Sequence, residues 1–353
     1  MNLMSDINNR IQRIRSDFGS YGIDALLVSK PSNVMYLTGR ETGYILITEN
    51  SLILWIKDIY RDLYSEIYSR SNHISELRDY DKGVIAPCIN EIGIKKLGVE
   101  NISVSSYERL RKEIEPELII CDIVEKRRAV KSKYEIGLLK KSAEITMKGM
   151  KKAYELIDGV SNNRNLNEID IAAEIEYEIR GAGSETPPFG EGMLLASGQN
   201  SADIHARPRQ VSIIKNSLVV VDLGARYSGY YSDMTRTIPA GRLNSSDRDL
   251  LEFVRNLEHE CIDRLYEGMH VTELYDFAEK KIKGKGFKFY HSLGHGVGLD
   301  VHELPNIGRE SEDVLTNGMV FTIEPGIYIP KKFGIRFEDM VLLKRGRADI
   351  LTA

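Results

Sequence analysis

Residues 218–238, LVVVDLGARYSGYYSDMTRTI, place two β-rich runs on either side of a polar turn, and the way they pair decides what the rest of the chain must build. The runs flank Tyr227-Ser228, with Gly229 following, so the stretch reads as a hairpin. A loop centred on Tyr227-Ser228 sets Asp222 directly opposite Asp233 on one sheet face, with Cβ atoms about 5 Å apart. Two like charges so placed repel each other. Unless one is protonated, positive charge must lie between them, and a divalent cation meets that need.

The same logic recurs in residues 318–343, GMVFTIEPGIYIPKKFGIRFEDMVLL. Glu324 sits at the end of an apolar strand, and Glu338 sits on the strand returning from the Lys331-Lys332 turn. Each acid interrupts an otherwise buried pattern. Residues 289–305, FYHSLGHGVGLDVHELP, add His291, His295 and His302, three of the chain's seven histidines. The spacing of His291 and His295 would suit a helical zinc motif, but the intervening Ser-Leu-Gly lacks the glutamate such a motif uses as a base. Gly294, Gly296 and Gly298 each disfavour helix by about 1 kcal/mol, so the segment reads as strand or loop where backbone approaches a ligand closely. Two aspartates, two glutamates and an imidazole suit a pair of Mn, Co, Zn or Fe ions bridged by carboxylate and water. Strand alternation puts Thr235 on the face of Asp233, Thr322 on that of Glu324 and Arg336 on that of Glu338, where they would steady the ligating carboxylates.

The bulk of the chain suits such a site. With 353 residues, 42% hydrophobic and 28% charged, it has the length of two domains and ample apolar material for a core. A balance of 48 basic against 52 acidic residues gives no electrostatic case for nucleic acid or an anionic membrane. The first residues, MNLMSDINNRIQRIRSDF, lack the apolar stretch of a signal peptide, and no apolar run approaches a membrane span. Cys88, Cys121 and Cys261 are too few and too scattered for a disulfide framework or a cysteine metal cluster, which fits the cytoplasm.

Ile7, Ile11, Ile14, Phe18 and Tyr21 at helical spacing lead into GIDALLVSKPSNVMYLTG, read as a strand reaching a turn at Pro31-Ser32-Asn33. Residues 43–56, GYILITENSLILWI, read as two strands around Glu49-Asn50-Ser51. Alternating helices and strands continue to PELIICDIV, giving an α/β domain over 1–125 and a second domain over 126–353, with the boundary at 122–131. The second opens on a long amphipathic helix with Ile136, Leu139, Ala143, Ile145 and Met150 as its buried positions, and continues as a mixture of strands and helices.

The ordered series Asp222, Asp233, His295, Glu324 and Glu338, set in the stretches quoted above, resembles the pita-bread metallopeptidases: Xaa-Pro dipeptidase, aminopeptidase P and methionine aminopeptidase. GIDALLVSKPSNVMYLTG resembles the N-terminal domain of the proline-specific branch, and RRAVKSKYEIGLLKKSAEI the entry to its catalytic domain. The resemblance implies an α/β N-terminal domain followed by an α+β, creatinase/aminopeptidase-like catalytic domain. It also implies two divalent ions per subunit, with His295 and Glu324 on one, Asp222 on the other, and Asp233 and Glu338 bridging. His205, His291 and His302 match histidines that hold substrate and move protons, and Glu324 would double as proton acceptor. Arg336 or Arg309 would receive a substrate carboxylate, although bracing Glu338 is the stronger reading for Arg336. The implied substrate is an Xaa-Pro dipeptide, with longer Xaa-Pro peptides as the alternative, and the implied assembly is a homodimer. A non-catalytic peptide-binding relative would be expected to lack ligands that are all present here.

Overall fold

Ile7, Ile11, Ile14 and Phe18 form the buried stripe of α1 (Leu3–Tyr21) in a computed structural model that describes residues 3–70, 74–162 and 164–353. The chain divides into two units, Met1–Arg128 and Ala129–Ala353. In the first, α1 is followed by β1 (Ala25–Val28), α2 (Pro31–Thr38), β2 (Tyr44–Thr48), β3 (Leu52–Ile56), α3 (Arg61–Arg70), β4 (Glu76–Asp79), α4 (Ile85–Ile92), β5 (Lys96–Val99), α5 (Val104–Glu113), β6 (Glu117–Ile120) and α6 (Ile123–Ala129). The strands form one sheet in the order β4-β3-β2-β1-β5-β6, with β1, β2 and β3 an antiparallel meander and the remaining pairs parallel. β2 and β3 hairpin around Glu49-Asn50-Ser51 as the sequence suggests. The turn expected at Pro31-Ser32-Asn33 is instead the first turn of α2. Proline at the first helical position needs no N–H partner and already has helical φ, so it starts the helix.

The second unit runs α7 (Lys133–Ser161), α8 (Glu168–Gly181), β7 (Leu194–Ser197), β8 (Leu218–Leu223), β9 (Arg226–Tyr227), β10 (Tyr230–Tyr231), β11 (Met234–Pro239), α9 (Ser245–Ile262), α10 (Val271–Gly284), β12 (Gly294–Gly296), β13 (Glu303–Ile307), β14 (Val320–Ile323), β15 (Gly326–Ile329), β16 (Phe333–Arg336), β17 (Asp339–Lys344) and β18 (Arg347–Ile350). Leu139, Ala143, Ile145 and Met150 of α7 are buried, but Ile136 is only half-buried. Glu135 takes the interior place in that turn, closing a capping box with Ser132 and accepting from the Tyr230 hydroxyl.

Two antiparallel sheets share the load. One, β11-β8-β7, packs Val219, Val221 and Leu223 against Ile171, Ile175 and Ile179 of α8 and Leu156 and Ile157 of α7. The other, β13-β12-β14-β17-β18, packs Phe321, Ile323 and Val341 against Val254 and Leu257 of α9 and Leu274 and Ala278 of α10. An isolated antiparallel bridge, Thr235 to Glu338, links the two sheets at the end that carries the acids.

The hairpin register differs from the sequence expectation. Tyr227 pairs with Tyr230 around a Ser228-Gly229 turn in which both residues have positive φ, 48° and 83°, as a two-residue type I′ turn requires. Asp222 therefore faces Thr235, and Asp233 precedes β11 by one residue. A shift of two positions keeps side-chain parity, so Asp233 stays on the Asp222 face as a diagonal neighbour. The loop closes so tightly that a Cβ on Gly224 would lie 2.0 Å from the Ser232 carbonyl oxygen.

Candidate metal centre

Five side chains from separate elements converge in the second unit: Asp222 on β8, Asp233 before β11, His295 in the middle of β12, Glu324 just past β14, and Glu338 between β16 and β17. β12 can bring an imidazole this close to β14 because Gly294 has no side chain; a Cβ there would sit 1.9 Å from the Thr322 carbonyl oxygen. His295 Nε2 lies 3.5 Å from Glu324 Oε1 and 3.7 Å from Asp233 Oδ2. Ligand atoms of Asp233, His295 and Glu338 all fall within 4.8 Å of one another.

The carboxylates are held in place by neutral and cationic donors. Thr235 donates to Glu338 Oε2 at 2.6 Å, and Arg336 Nη2 donates to Asp222 Oδ2 at 2.6 Å. Thr322 accepts from the His295 amide at 3.1 Å and donates to Glu324 Oε1 at 3.4 Å. The pairings inferred from alternation thus change: Thr235 serves Glu338 rather than Asp233, because the bridge between the sheets places it there. Arg336 braces Asp222 rather than Glu338, because its strand, β16, runs past β8. Its Nε also donates to Thr235 Oγ1 at 3.2 Å, which ties the two carboxylates together through one hydroxyl.

Charge in this cluster is far from balanced. Asp222, Asp233 and Glu338 are buried, yet Asp222 Oδ1, Asp233 Oδ1 and Glu338 Oε1 have no hydrogen-bond partner among the described residues. Burial, with the neighbouring Glu338, Asp222 and Glu324 charges, pushes the Asp233 carboxyl well above its usual range. Burial and the Glu324 and Asp222 charges do the same to Glu338. Burial raises Glu324 to about 7, against the pull of Arg336. His295 and His291 are driven down by burial to about 3 and about 4, and His302 is lowered for the same reason. Unpaired carboxylate oxygens beside a neutral imidazole are the donor set that a divalent cation satisfies, since the cation replaces water and offsets the mutual repulsion.

Around this cluster stand the other histidines. His302 packs its ring 4.1 Å from that of His295. His291 has Nδ1 2.8 Å from the Ser292 carbonyl oxygen and 4.0 Å from Glu324 Oε2, while its Nε2 lies 3.1 Å from the Tyr328 hydroxyl. His205 is exposed on the segment after β7, near enough for a charge there to act on His291 and His302. Arg309 is placed elsewhere: it pairs with Glu279 of α10 on an exposed surface, so it is no partner for a carboxylate in the cluster.

Tyr328 is the residue that sequence reading passed over. Its hydroxyl accepts from Arg336 Nη1 at 2.9 Å and faces His291, so one side chain connects the Asp222–Arg336 pair to a histidine at the edge of the cluster. In the sequence it is one more aromatic residue in a β-strand, and nothing local distinguishes it.

An α/β unit preceding an α+β unit whose buried acids and single imidazole face one another defines the class of metal-dependent hydrolases built on the pita-bread fold. The chain belongs to metallopeptidase family M24, whose model matches residues 137–345, and it carries a creatinase/prolidase N-terminal domain over residues 10–130. The Xaa-Pro dipeptidase of Pyrococcus horikoshii is 36% identical over 99% of this chain and 98% of that protein. The crystal structure of the prolidase from the same organism superposes with a TM-score of 0.88, at 34% identity and 98% coverage of each chain. The X-Pro aminopeptidase of Thermotoga maritima superposes with a TM-score of 0.78, at 30% identity, covering 94% of this chain and 96% of that one. The fold class expected from the sequence stands: an α/β N-terminal domain with an α+β, creatinase/aminopeptidase-like catalytic domain.

Proposed function

We propose that the chain hydrolyses the Xaa-Pro peptide bond, acting as an Xaa-Pro dipeptidase through a catalytic domain spanning 126–353. The observation that carries the reading is the set of partnerless buried oxygens on Asp222, Asp233 and Glu338 beside His295. Full-length similarity to named dipeptidases supports the substrate class. His295 and Glu324 would hold one divalent ion, Asp222 the other, with Asp233 and Glu338 shared; Mn, Co, Zn and Fe all fit these donors. When bound, such ions supply a Lewis acid for the scissile carbonyl and lower the pKa of water in the site.

The remaining chemistry belongs to side chains. Glu324 Oε2, which faces His291, takes the proton from attacking water and passes it towards the proline nitrogen. His302, beside His295, donates to the developing oxyanion, and a well-placed donor of this kind contributes about 3 to 4 kcal/mol. His205 and His291 orient the substrate. Arg336 is committed to Asp222, Thr235 and Tyr328, so it acts by positioning rather than by binding the substrate carboxylate.

Hydrolysis of longer Xaa-Pro peptides is the alternative, and the superposition with the dipeptidase structure, tighter than that with the aminopeptidase, favours the shorter substrate. The homodimer and cytoplasmic location implied by the family resemblance belong to the same proposal. In support of the latter, Cys88, Cys121 and Cys261 are free and buried, and no helix among the described residues is long and apolar enough to cross a membrane. The deciding assay offers metal-loaded protein an Xaa-Pro dipeptide, its C-terminal amide and an Xaa-Pro-Yaa tripeptide. Dipeptidase action requires kcat/KM to fall about tenfold for each 1.4 kcal/mol of carboxylate recognition lost in the amide. Equal cleavage of all three would move the assignment to an aminopeptidase.

A further inference from the structure

Glu168, the first residue of α8, is wholly buried, and no lysine or arginine pairs with it among the described residues. Its carboxylate is satisfied by converging donors instead. Oε1 accepts from the Ser197 amide at 2.7 Å, the Ser197 hydroxyl at 2.8 Å and Asn200 Nδ2 at 3.3 Å, while Oε2 accepts from the Arg209 amide at 3.1 Å. Ser197 and Asn200 begin the excursion that carries His205, and Arg209 ends it. One carboxylate therefore grips both ends of a segment that has no sheet partner of its own.

The middle of that segment is clasped separately by β16. The Gly334 amide donates to Ser201 Oγ at 2.8 Å, and Arg336 Nη1 donates to the Ile204 carbonyl at 3.3 Å. A Cβ on Gly334 would sit 2.0 Å from the Ser201 carbonyl oxygen, so this clasp admits no slack. His205 follows Ile204 directly, between the β16 clasp on one side and the Glu168 clasp on the other.

The donor pattern also accounts for the presence of a charge. An amide side chain offers one acceptor oxygen and adds two donors, so it cannot accept at both ends of the segment; only a carboxylate can. A buried, cation-free carboxylate is otherwise costly. We propose that Glu168 is a positioning residue for His205, fixing the histidine's backbone relative to the metal centre without touching substrate. The inference rests on the reading above in which His205 acts on the substrate.

The test is a double-mutant cycle on metal-loaded protein with an Xaa-Pro dipeptide. Glu168→Gln releases one end of the segment, and kcat should fall between about 10- and 100-fold, the scale on which small misplacements of a reacting group act. KM and metal content should stay unchanged, and hydrogen exchange should quicken within 198–209 alone. In the His205→Ala background, Glu168→Gln should add no further loss. Losses that multiply across the cycle, or a fully active Glu168→Gln variant, overturn the proposal by itself. A fully active His205→Ala variant overturns the role given to His205, and this proposal with it. Should Glu168→Gln fail to fold, Ser197→Ala removes a single donor to the same oxygen and must show the same non-additivity with His205→Ala at a smaller loss.

Discussion

Replacing Glu258 with glutamine should stabilise the protein, by an amount that grows with pH. Glu258 lies on α9 and is 1% exposed. It hydrogen-bonds Asp339, the first residue of β17 and the neighbour of Glu338. Burial, then the Asp339 charge and the hydrogen bond to it, raise the Glu258 carboxyl to about 9, with Arg236 opposing. Arg236 is otherwise engaged, donating to Asp339 Oδ1 and to the Glu338 carbonyl oxygen, each at 2.6 Å. Glu258 thus remains protonated in the folded state at neutral pH but ionises when the chain unfolds.

An acid whose folded pKa is raised contributes stability that is fully present below its unfolded pKa, near 4.5, and is lost as pH rises through about 9. At pH 7 the folded state has forfeited about 2.5 pH units at 1.36 kcal/mol each, an upper bound of about 3 kcal/mol. Glutamine keeps the shape, donates to Asp339 where the carboxylic proton did and has no proton to hold, so it escapes that loss. Denaturant unfolding of chelator-treated wild type and Glu258→Gln, read from pH 5 to 8.5, should show a gap that is small at the acid end and widens steadily with pH, staying within the bound of about 3 kcal/mol at pH 7. Titration of the metal-centre acids cancels in the difference. A gap that is flat with pH, or that favours wild type above pH 7, would refute the buried neutral acid.

Three further outcomes test the centre itself. Asp222→Ala and Asp233→Ala should both abolish turnover while keeping the fold, but they should part in stability: metal-free Asp233→Ala relieves repulsion, whereas Asp222→Ala strips Arg336 of its partner at 2.6 Å and costs about 3 to 5 kcal/mol. Equal melting temperatures for the two metal-free variants would contradict that division. His302→Ala should lower kcat with its metal retained and His295→Ala should lose both, so matching metal loss by elemental analysis would place His302 among the ligands. Tyr328→Phe removes the hydroxyl between Arg336 and His291 and should lower kcat about tenfold at constant metal content, as loss of an orienting hydrogen bond does; unchanged kcat would remove that link from the mechanism.

Sequence alone singled out the acids and the histidine that the fold brings together. Acids that interrupt apolar strands, and a histidine among glycines, are visible without a structure because burying a charge conflicts with the local pattern, and that conflict is written in one dimension. Strand parity was likewise legible, which is why Asp233 remains on the Asp222 face although the turn lies at Ser228-Gly229. Tertiary structure decided who serves whom. Thr235 reaches Glu338 through a bridge between two sheets, Arg336 reaches Asp222 from β16, Tyr328 meets partners 8 and 37 residues away in the chain, Glu168 meets partners 29, 32 and 41 residues away, and Glu258 of α9 meets Asp339 of β17. Periodicity reports which face a side chain takes, but a hydrogen-bond partner on another element is fixed only when the sheets and helices pack, and no local pattern encodes that distance.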